Sequence, residues 1–317
     1  MKAREVVFVA KLVLSIGLVW YVASKFELQQ ALTQVRNLTP GWLFLLIALY
    51  YVQLSIAALR FREFLGVFGI DFSFGRAVDT TLIGYFFSQT FISFVGGDAM
   101  RILRAGRYVA SLQIPAKAVV LDRASGFASQ VVLILLVLPF ALPRMPDPAM
   151  RLSLLLLVGA AIGGAAAVVL VARLPGAFRQ FKIFGAVADI AGRVLRRIST
   201  PRGFAAFFGY SLAINLCNIF LFFTFGTALG INLKFLDCLV LLPPVFFISM
   251  LPISVAGWGV REGAAIIALG VAGVAASDAL AISVSYGLGL ILISLPGGVL
   301  WLFGRKKSAR TPEAADA

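Results

Sequence analysis

The stretch ISFVGGDAMR at residues 92–101 decides the fold together with ISVAGWGVR at residues 253–261. With one gap the two align on Ile-Ser, on a glycine and on an arginine. Each follows a polar or proline-broken apolar run and is expected to open a new helix. Apolar segments that glycine or proline interrupts at matching places in two halves of a chain are typical of secondary transporters. The two stretches therefore predict an internal repeat.

The rest of the chain is predominantly apolar. Of its 317 residues, 61% are apolar and 13% are charged, whereas soluble domains have about 45–50% and 25%. This composition excludes a disordered chain, a disulfide scaffold and a soluble enzyme, and it predicts an all-α polytopic membrane protein. Histidine is absent, and Cys217 and Cys238 lie in or beside apolar runs. We therefore expect no disulfide framework, no metal site and no cofactor.

The apolar runs predict six full spans and two re-entrant helical hairpins. The full spans are expected at residues 6–23, 42–59, 116–142, 152–172, 204–229 and 280–303. One hairpin comprises the run 77–95 with the segment after it. The other comprises residues 235–276, which Pro243, Pro244 and Pro252 interrupt. A signal peptide is the alternative for residues 6–23, but Lys11 lies inside the run and no clear cleavage site follows, which favours an uncleaved helix.

The basic residues predict the orientation in the membrane. The net charge is +14, and the charges lie between apolar runs, which favours positive-inside bias and anionic headgroups over a nucleic-acid partner. In the six-span arrangement 20 Lys and Arg residues lie on the cytoplasmic side and 5 outside. If the hairpins cross the membrane fully, the split is 12 to 13. The asymmetry predicts that both termini are cytoplasmic.

This orientation predicts that the two halves are inverted relative to each other. Repeat 1, about residues 1–145, starts in the cytoplasm, and repeat 2, about residues 146–304, starts outside. Each half contains two spans, a hairpin and a third span, so residues 1–317 form a single transmembrane domain with an inverted-topology repeat. Residues 305–317 are expected to be a disordered tail.

The hairpin sequences predict an anion site. Consecutive glycines let a chain reverse and bring backbone N–H groups close to a ligand, and a helix start attracts anions. Arg101 and Arg261 are expected in the first turn of the new helices, where a cation is favourable if an anion lies beside it. The alternative is that Asp98 caps a helix and pairs with Arg101, while Arg261 pairs with Glu262.

Three further groups are candidates with equally simple structural explanations. Arg104 lies on a short amphipathic helix that either collects anionic headgroups or anchors at the interface. Asp122 and Arg123, at the start of a span, form either a structural ion pair or part of a ligand site. A polar stripe on one span either faces a headgroup path or holds helices together, and it comprises Ser211, Asn215 and Asn218.

Taken together, the candidate substrate-binding residues come from both hairpins and two spans. They are Ser93, Gly96, Gly97, Asp98, Arg101, Arg104, Asp122, Arg123, Asn215, Asn218, Ser254, Gly257, Trp258, Gly259, Arg261 and Glu262. No nucleotide-binding loop, nucleophile elbow or carboxylate dyad is recognisable in the sequence. The basic block at residues 173–202 is expected to anchor to anionic lipid.

Four strings resemble the hallmark motifs of the lysylphosphatidylglycerol synthase transmembrane-region family, also called the flippase-like domain family. They are SFVGGDAMR at residues 93–101, LDRASG at 121–126, LPISVAGWGVRE at 251–262 and PGG at 296–298. The resemblance implies an integral protein of a bacterial-type inner membrane that acts on lipids. Members with aminoacyl-lipid synthase activity carry an extra soluble domain. Because this chain ends about a dozen residues after its last span, only the lipid-translocating part is expected.

Three functions follow as hypotheses. The first is a lipid translocase that binds an anionic phospholipid or polyprenyl-phosphate headgroup at the paired hairpins. The second is a membrane-embedded transferase with Asp98, Asp122 or Glu262 as its base, although the missing motifs argue against an enzyme. The third is a non-catalytic partner in envelope-lipid assembly. Anionic membrane lipids are the expected partners, and a homo-oligomer or a separate lipid-modifying enzyme stays open.

Overall fold

Helices form every regular element of the described part of the chain, which in this computed structural model comprises residues 39–90, 94–172, 182–251, 254 and 257–303. The helices are α1 (Pro40–Val67), α2 (Phe74–Thr90), α3 (Phe94–Val109), α4 (Gln113–Ala141), α5 (Pro148–Ala172), α6 (Lys182–Ile198), α7 (Tyr210–Ala228), α8 (Phe235–Met250), α9 (Val260–Gly270) and α10 (Ala276–Phe303). A 3₁₀ turn, Leu142–Arg144, extends α4. A single helical turn, Pro201–Phe204, and a π-helical turn, Ala205–Gly209, lead into α7.

Four of these segments are long and apolar enough to cross a membrane. They are Pro40–Val67, Gln113–Arg144, Ala205–Ala228 and Ala276–Phe303. A helix of 28 residues is roughly 42 Å long at 1.5 Å per residue, more than the hydrocarbon thickness of about 30 Å. These segments match the predicted spans at 42–59, 116–142, 204–229 and 280–303. The expected span at 152–172 lies in α5, whereas residues 6–23 and the tail 305–317 lie outside the described residues.

The helices α2 and α3 form an antiparallel hairpin. Arg104 near the end of α3 bonds Asp79 near the start of α2, and Gly97 of α3 lies against Ser88 near the end of α2. A Cβ at Gly97 would lie 2.5 Å from the Gly84 carbonyl oxygen. This glycine therefore serves the close approach of two helices.

The expected start of α3, directly after the Gly-Gly pair, is wrong by more than one turn. The helix already begins at Phe94, so Gly96 and Gly97 lie inside it and do not reverse the chain. Arg101 consequently lies two turns into the helix and not in its first turn. Phe94 and Val95, directly before the glycines, already belong to α3.

The second hairpin, between α8 and α9, behaves as the glycines predict. Gly257 and Gly259 have φ values of +79° and +82°, a conformation that residues with a Cβ rarely adopt. Arg261 is the second residue of α9, so its expected place in the first turn is confirmed. Pro243 and Pro244 do not break α8, which is continuous to Met250.

Helix α10 contacts both hairpins. Gly287 in its first half lies against Trp258, where a Cβ would be 2.8 Å from the indole ring. Gly297 in its second half lies against α2, where a Cβ would be 2.5 Å from the Leu82 carbonyl carbon. Ten residues along a helix correspond to roughly 15 Å. The two hairpins therefore pack on one helix at different depths, with space between their ends.

Candidate functional site

A partly open cavity of about 210 Å³ lies where the two hairpins meet α1, α4, α7 and α10. Gln53, midway along the 28 residues of α1, lines it, as do Ser88 and Gln89 from the end of α2 and Ser249 and Met250 from the end of α8. Its charged lining residues are Arg60, Asp98, Arg101, Asp122, Arg123 and Arg261. Arginine therefore dominates a cavity at the mid-depth of a spanning helix.

Asp122 is held between two arginines from different elements. Its Oδ1 accepts from Arg60 Nε at 2.7 Å, and its Oδ2 accepts from Arg101 Nη1 at 2.9 Å. Asp122 and Arg101 are both buried. The Arg101 guanidinium also lies 4.4 Å from the Phe61 ring centroid, a distance at which a cation is attracted to the ring face. These contacts tie α1, α3 and α4 together around the cavity.

Asp98 and Arg123 form a bidentate pair between α3 and α4. Arg123 Nε and Nη2 donate to the two carboxylate oxygens of Asp98 at 2.7 and 3.0 Å. The pair is the more exposed part of the charge cluster, with 18% of the Asp98 side chain and 30% of the Arg123 side chain accessible. Arg101 lies 3.7 Å from Asp98, farther than from Asp122. Asp98 therefore binds Arg123 most closely, and the expected Arg101–Asp98 pair is secondary.

On the side of the second hairpin, Arg261 is almost fully compensated. Its Nη2 donates to Glu262 Oε1 at 2.6 Å, and its Nε lies 3.1 Å from both Glu262 and Ser283. The rings of Trp258 and Tyr286 lie beside its guanidinium, with their centroids 5.0 and 5.3 Å from Arg261 Cζ. The ion pair with Glu262, which was the alternative to an anion site, is therefore formed. Arg261 also lines the cavity.

The polar stripe on α7 contacts α4 and α1. Asn215 donates to Ser129 at 3.0 Å, and Ser211 donates to Ser125 at 3.0 Å. Asn218 accepts from Gln53 and, at 2.7 Å, from Tyr286. The stripe joins helices, as one alternative proposed, and two of its members, Asn215 and Asn218, also line the cavity.

The structure brings seven of the sequence-predicted site residues together at the cavity. They are Asp98, Arg101, Asp122, Arg123, Asn215, Asn218 and Arg261. The other described candidates do not line it: Gly96, Gly97, Arg104, Ser254, Gly257, Trp258, Gly259 and Glu262. Ser93 lies outside the described residues.

Two of those residues have clear structural roles nearby. Arg104 donates to both oxygens of Asp79, at 2.7 and 3.0 Å, and Tyr108 donates to the same carboxylate. Glu262 accepts from the Gly259 N–H at 2.6 Å and so holds the start of α9, in addition to its pair with Arg261. None of the residues in these two contacts lines the cavity itself, apart from Arg261.

The sequence interpretation missed Arg60, Gln53 and Gln89. Arg60 follows an apolar run and has the ordinary appearance of a positive-inside residue. Gln53 is a single amide inside a span, and the cost of burying an unpaired amide in a membrane is the signal that points to it. Gln89 lies in a run of several polar residues that did not distinguish it.

Comparison with known families matches residues 8–297 to the model described as "Lysylphosphatidylglycerol synthase TM region". The match covers most of the chain, so the protein belongs to this family, as its hairpin motifs predict. No curated protein and no solved structure matches the chain. The family and the long apolar helices together define an integral membrane protein.

Proposed function

We propose that the protein translocates an anionic lipid whose headgroup occupies the arginine-lined cavity. The observation that carries this proposal is the cavity with mostly buried charged residues between the ends of two helical hairpins, at mid-depth of a spanning helix. A headgroup that crosses a bilayer needs polar partners there, because the hydrocarbon core offers none.

The charge balance of the cavity supports an anion. Arg60, Arg101 and Arg123 oppose Asp98 and Asp122, which leaves one positive charge in excess. The pair of Arg261 and Glu262 is neutral by itself. A buried unpaired charge is costly, so a single anionic group in the cavity is favourable.

The hairpin architecture is part of the same proposal. We infer that α2–α3 enters the membrane from the cytoplasm and α8–α9 enters from outside, in an inverted repeat with six full spans. Alternating movement of such repeats about a fixed central site is the general mechanism of secondary transporters. A transferase is less well supported, since Asp98, Asp122 and Glu262 all accept hydrogen bonds from arginine, and a base would have to break an ion pair.

Translocation by the purified protein tests the proposal. We expect proteoliposomes of phosphatidylcholine to move an acyl-chain-labelled anionic phospholipid between leaflets faster than empty vesicles do, with dithionite quenching of the outer label as the measurement. The zwitterionic phosphatidylcholine probe with the same label is the control. Equal rates with and without protein for every anionic probe would contradict the proposed function.

The proposed orientation gives a separate prediction. In a background with Cys217→Ala and Cys238→Ala, a cysteine at Ser199 should resist an impermeant thiol reagent in intact cells, because the loop after α6 is cytoplasmic in this topology. A cysteine at Asp147, in the exposed turn between α4 and α5, should be labelled and is the matched control. Labelling of Ser199→Cys from outside would overturn the orientation.

A further inference from the structure

Two glutamines in the cavity have unpaired acceptor atoms. Gln53 is 4% exposed, and its Oε1 has no hydrogen-bond partner among the described residues. Gln89 lines the same cavity, and within the described structure its Oε1 is also buried and unpaired. An amide oxygen buried without a donor is unfavourable. Both atoms therefore call for a donor that the described residues do not supply.

The contacts of Gln53 define which of its atoms is available. Its Nε2 donates to Asn218, whose Oδ1 also accepts from the Tyr286 hydroxyl. The amide nitrogen is therefore engaged between α1 and α7, and the oxygen is left as an acceptor. Only a donor can satisfy that oxygen.

Unpaired donors lie in the same cavity. Arg101 Nε and Thr81 Oγ1 are buried and make no hydrogen bond within the described ranges, and both residues line the cavity. An arginine N–H beside one excess positive charge suits a phosphate oxygen. The residues that line the cavity thus carry unpaired buried donors for an anion together with two unpaired buried acceptors for neighbouring hydrogens.

We propose that Gln53 and Gln89 determine headgroup specificity by accepting hydrogen bonds from hydroxyl groups next to a phosphodiester that Arg101 binds. This inference rests on the proposed function and names its substrate class, a lipid with one phosphodiester charge and a small hydroxylated headgroup. An ammonium group in the headgroup would cancel the negative charge of the phosphodiester, and the excess positive charge of the cavity would then have no counter-charge. The volume of about 210 Å³ is below the roughly 300–1,000 Å³ of drug-sized pockets, which favours a small headgroup.

Two probes with the same charge and different hydrogen-bonding capacity test the assignment. Phosphatidylglycerol and phosphatidylmethanol with identical labelled acyl chains both carry one phosphodiester charge, but only the first has headgroup hydroxyls. We expect the wild-type protein to prefer the glycerol headgroup by about two- to tenfold for each hydrogen bond. Gln53→Met and Gln89→Met should each lower that preference, and the double variant should bring the ratio close to one.

Gln130→Met is the matched control. Gln130 is a buried amide on α4 that donates to the Pro243 carbonyl at 2.7 Å, and its Oε1 is also unpaired within the described residues. It does not line the cavity, so this variant should keep the wild-type ratio. Because both rates are measured on one preparation, the ratio does not depend on folded yield.

The possible outcomes separate this inference from the proposed function. If the anionic probes move but the wild-type ratio is one, or the Gln53 and Gln89 variants keep the wild-type ratio, the specificity assignment is wrong and translocation stands. If neither anionic probe moves faster than in empty vesicles, the proposed function fails and this inference fails with it. Loss of the preference in the Gln53 and Gln89 variants but not in Gln130→Met supports the assignment.

Discussion

Replacement of Arg101 by glutamine is expected to slow translocation of an anionic phospholipid by about ten- to a hundredfold. A hydrogen bond to a charged group contributes about 1.5–3 kcal/mol, which corresponds to this range. Arg101 is 6% exposed and lines the cavity, and its buried Nε makes no hydrogen bond within the described structure. Arg101→Lys keeps the charge without the planar fork and should recover part of the rate. The measurement is the initial rate of probe transfer in proteoliposomes.

Arg104→Gln is the matched control for Arg101→Gln. Arg104 lies one turn further along α3 and bonds Asp79 outside the cavity, so we expect its variant to keep a near-normal rate per reconstituted protein. Equal rates for the wild type and Arg101→Gln would contradict an anion site at Arg101.

A double variant separates binding from structure at Arg101. If Arg101 only compensates Asp122, then Arg101→Gln lowers the folded yield, and adding Asp122→Asn restores both yield and transport. If Arg101 binds the lipid, the second change restores yield at most, and transport stays slow. Asp122 is the appropriate partner because it lies 2.9 Å from Arg101, against 3.7 Å for Asp98.

Asp122→Asn alone is expected to lower the free energy of unfolding by about 3–5 kcal/mol, because it leaves buried arginines without their carboxylate. Arg60 and Arg101 both bond this side chain, and Asp122 is 3% exposed. The expected result is a clear fall in the midpoint of thermal unfolding in detergent, with the apparent free energy taken from denaturant titration.

Glu63→Gln is the control for Asp122→Asn. Glu63 lies 3.7 Å from Arg197, and both side chains are more than a third exposed. Exposed pairs contribute about 0–1 kcal/mol, so this variant should unfold close to the wild type. Similar midpoints for the two variants would show that the buried cluster does not stabilise the fold.

Much of the fold could be predicted from the sequence because a membrane-spanning helix is recognisable from its apolar composition. A helix such as α10 needs about 20 apolar residues to cross the hydrocarbon core, and this demand is local. The positive φ values at Gly257 and Gly259 likewise depend on the residue type at each position and not on a distant contact. The motif strings likewise identified the family without any knowledge of contacts.

The start of α3 could not be predicted correctly, because two explanations fit the same glycines. A Gly-Gly pair either reverses a chain or allows two helices to approach closely. Gly97 has the second role, against Gly84 and Ser88, and only the partner helix reveals this. The error placed Arg101 at a helix start, whereas it lies in the middle of a packed helix.

The sequence by itself determined that this chain is an all-helical membrane protein of its family, and it indicated most of the charged residues of the site. The tertiary structure alone decided which charges meet. Asp122 is bound by Arg60, 62 positions earlier in the chain, and Gln53 contacts Asn218, 165 positions later. Spacing along one helix cannot reveal such pairs. They arise because burying charge and amide groups in a low-dielectric interior is favourable only when packing brings compensating groups together.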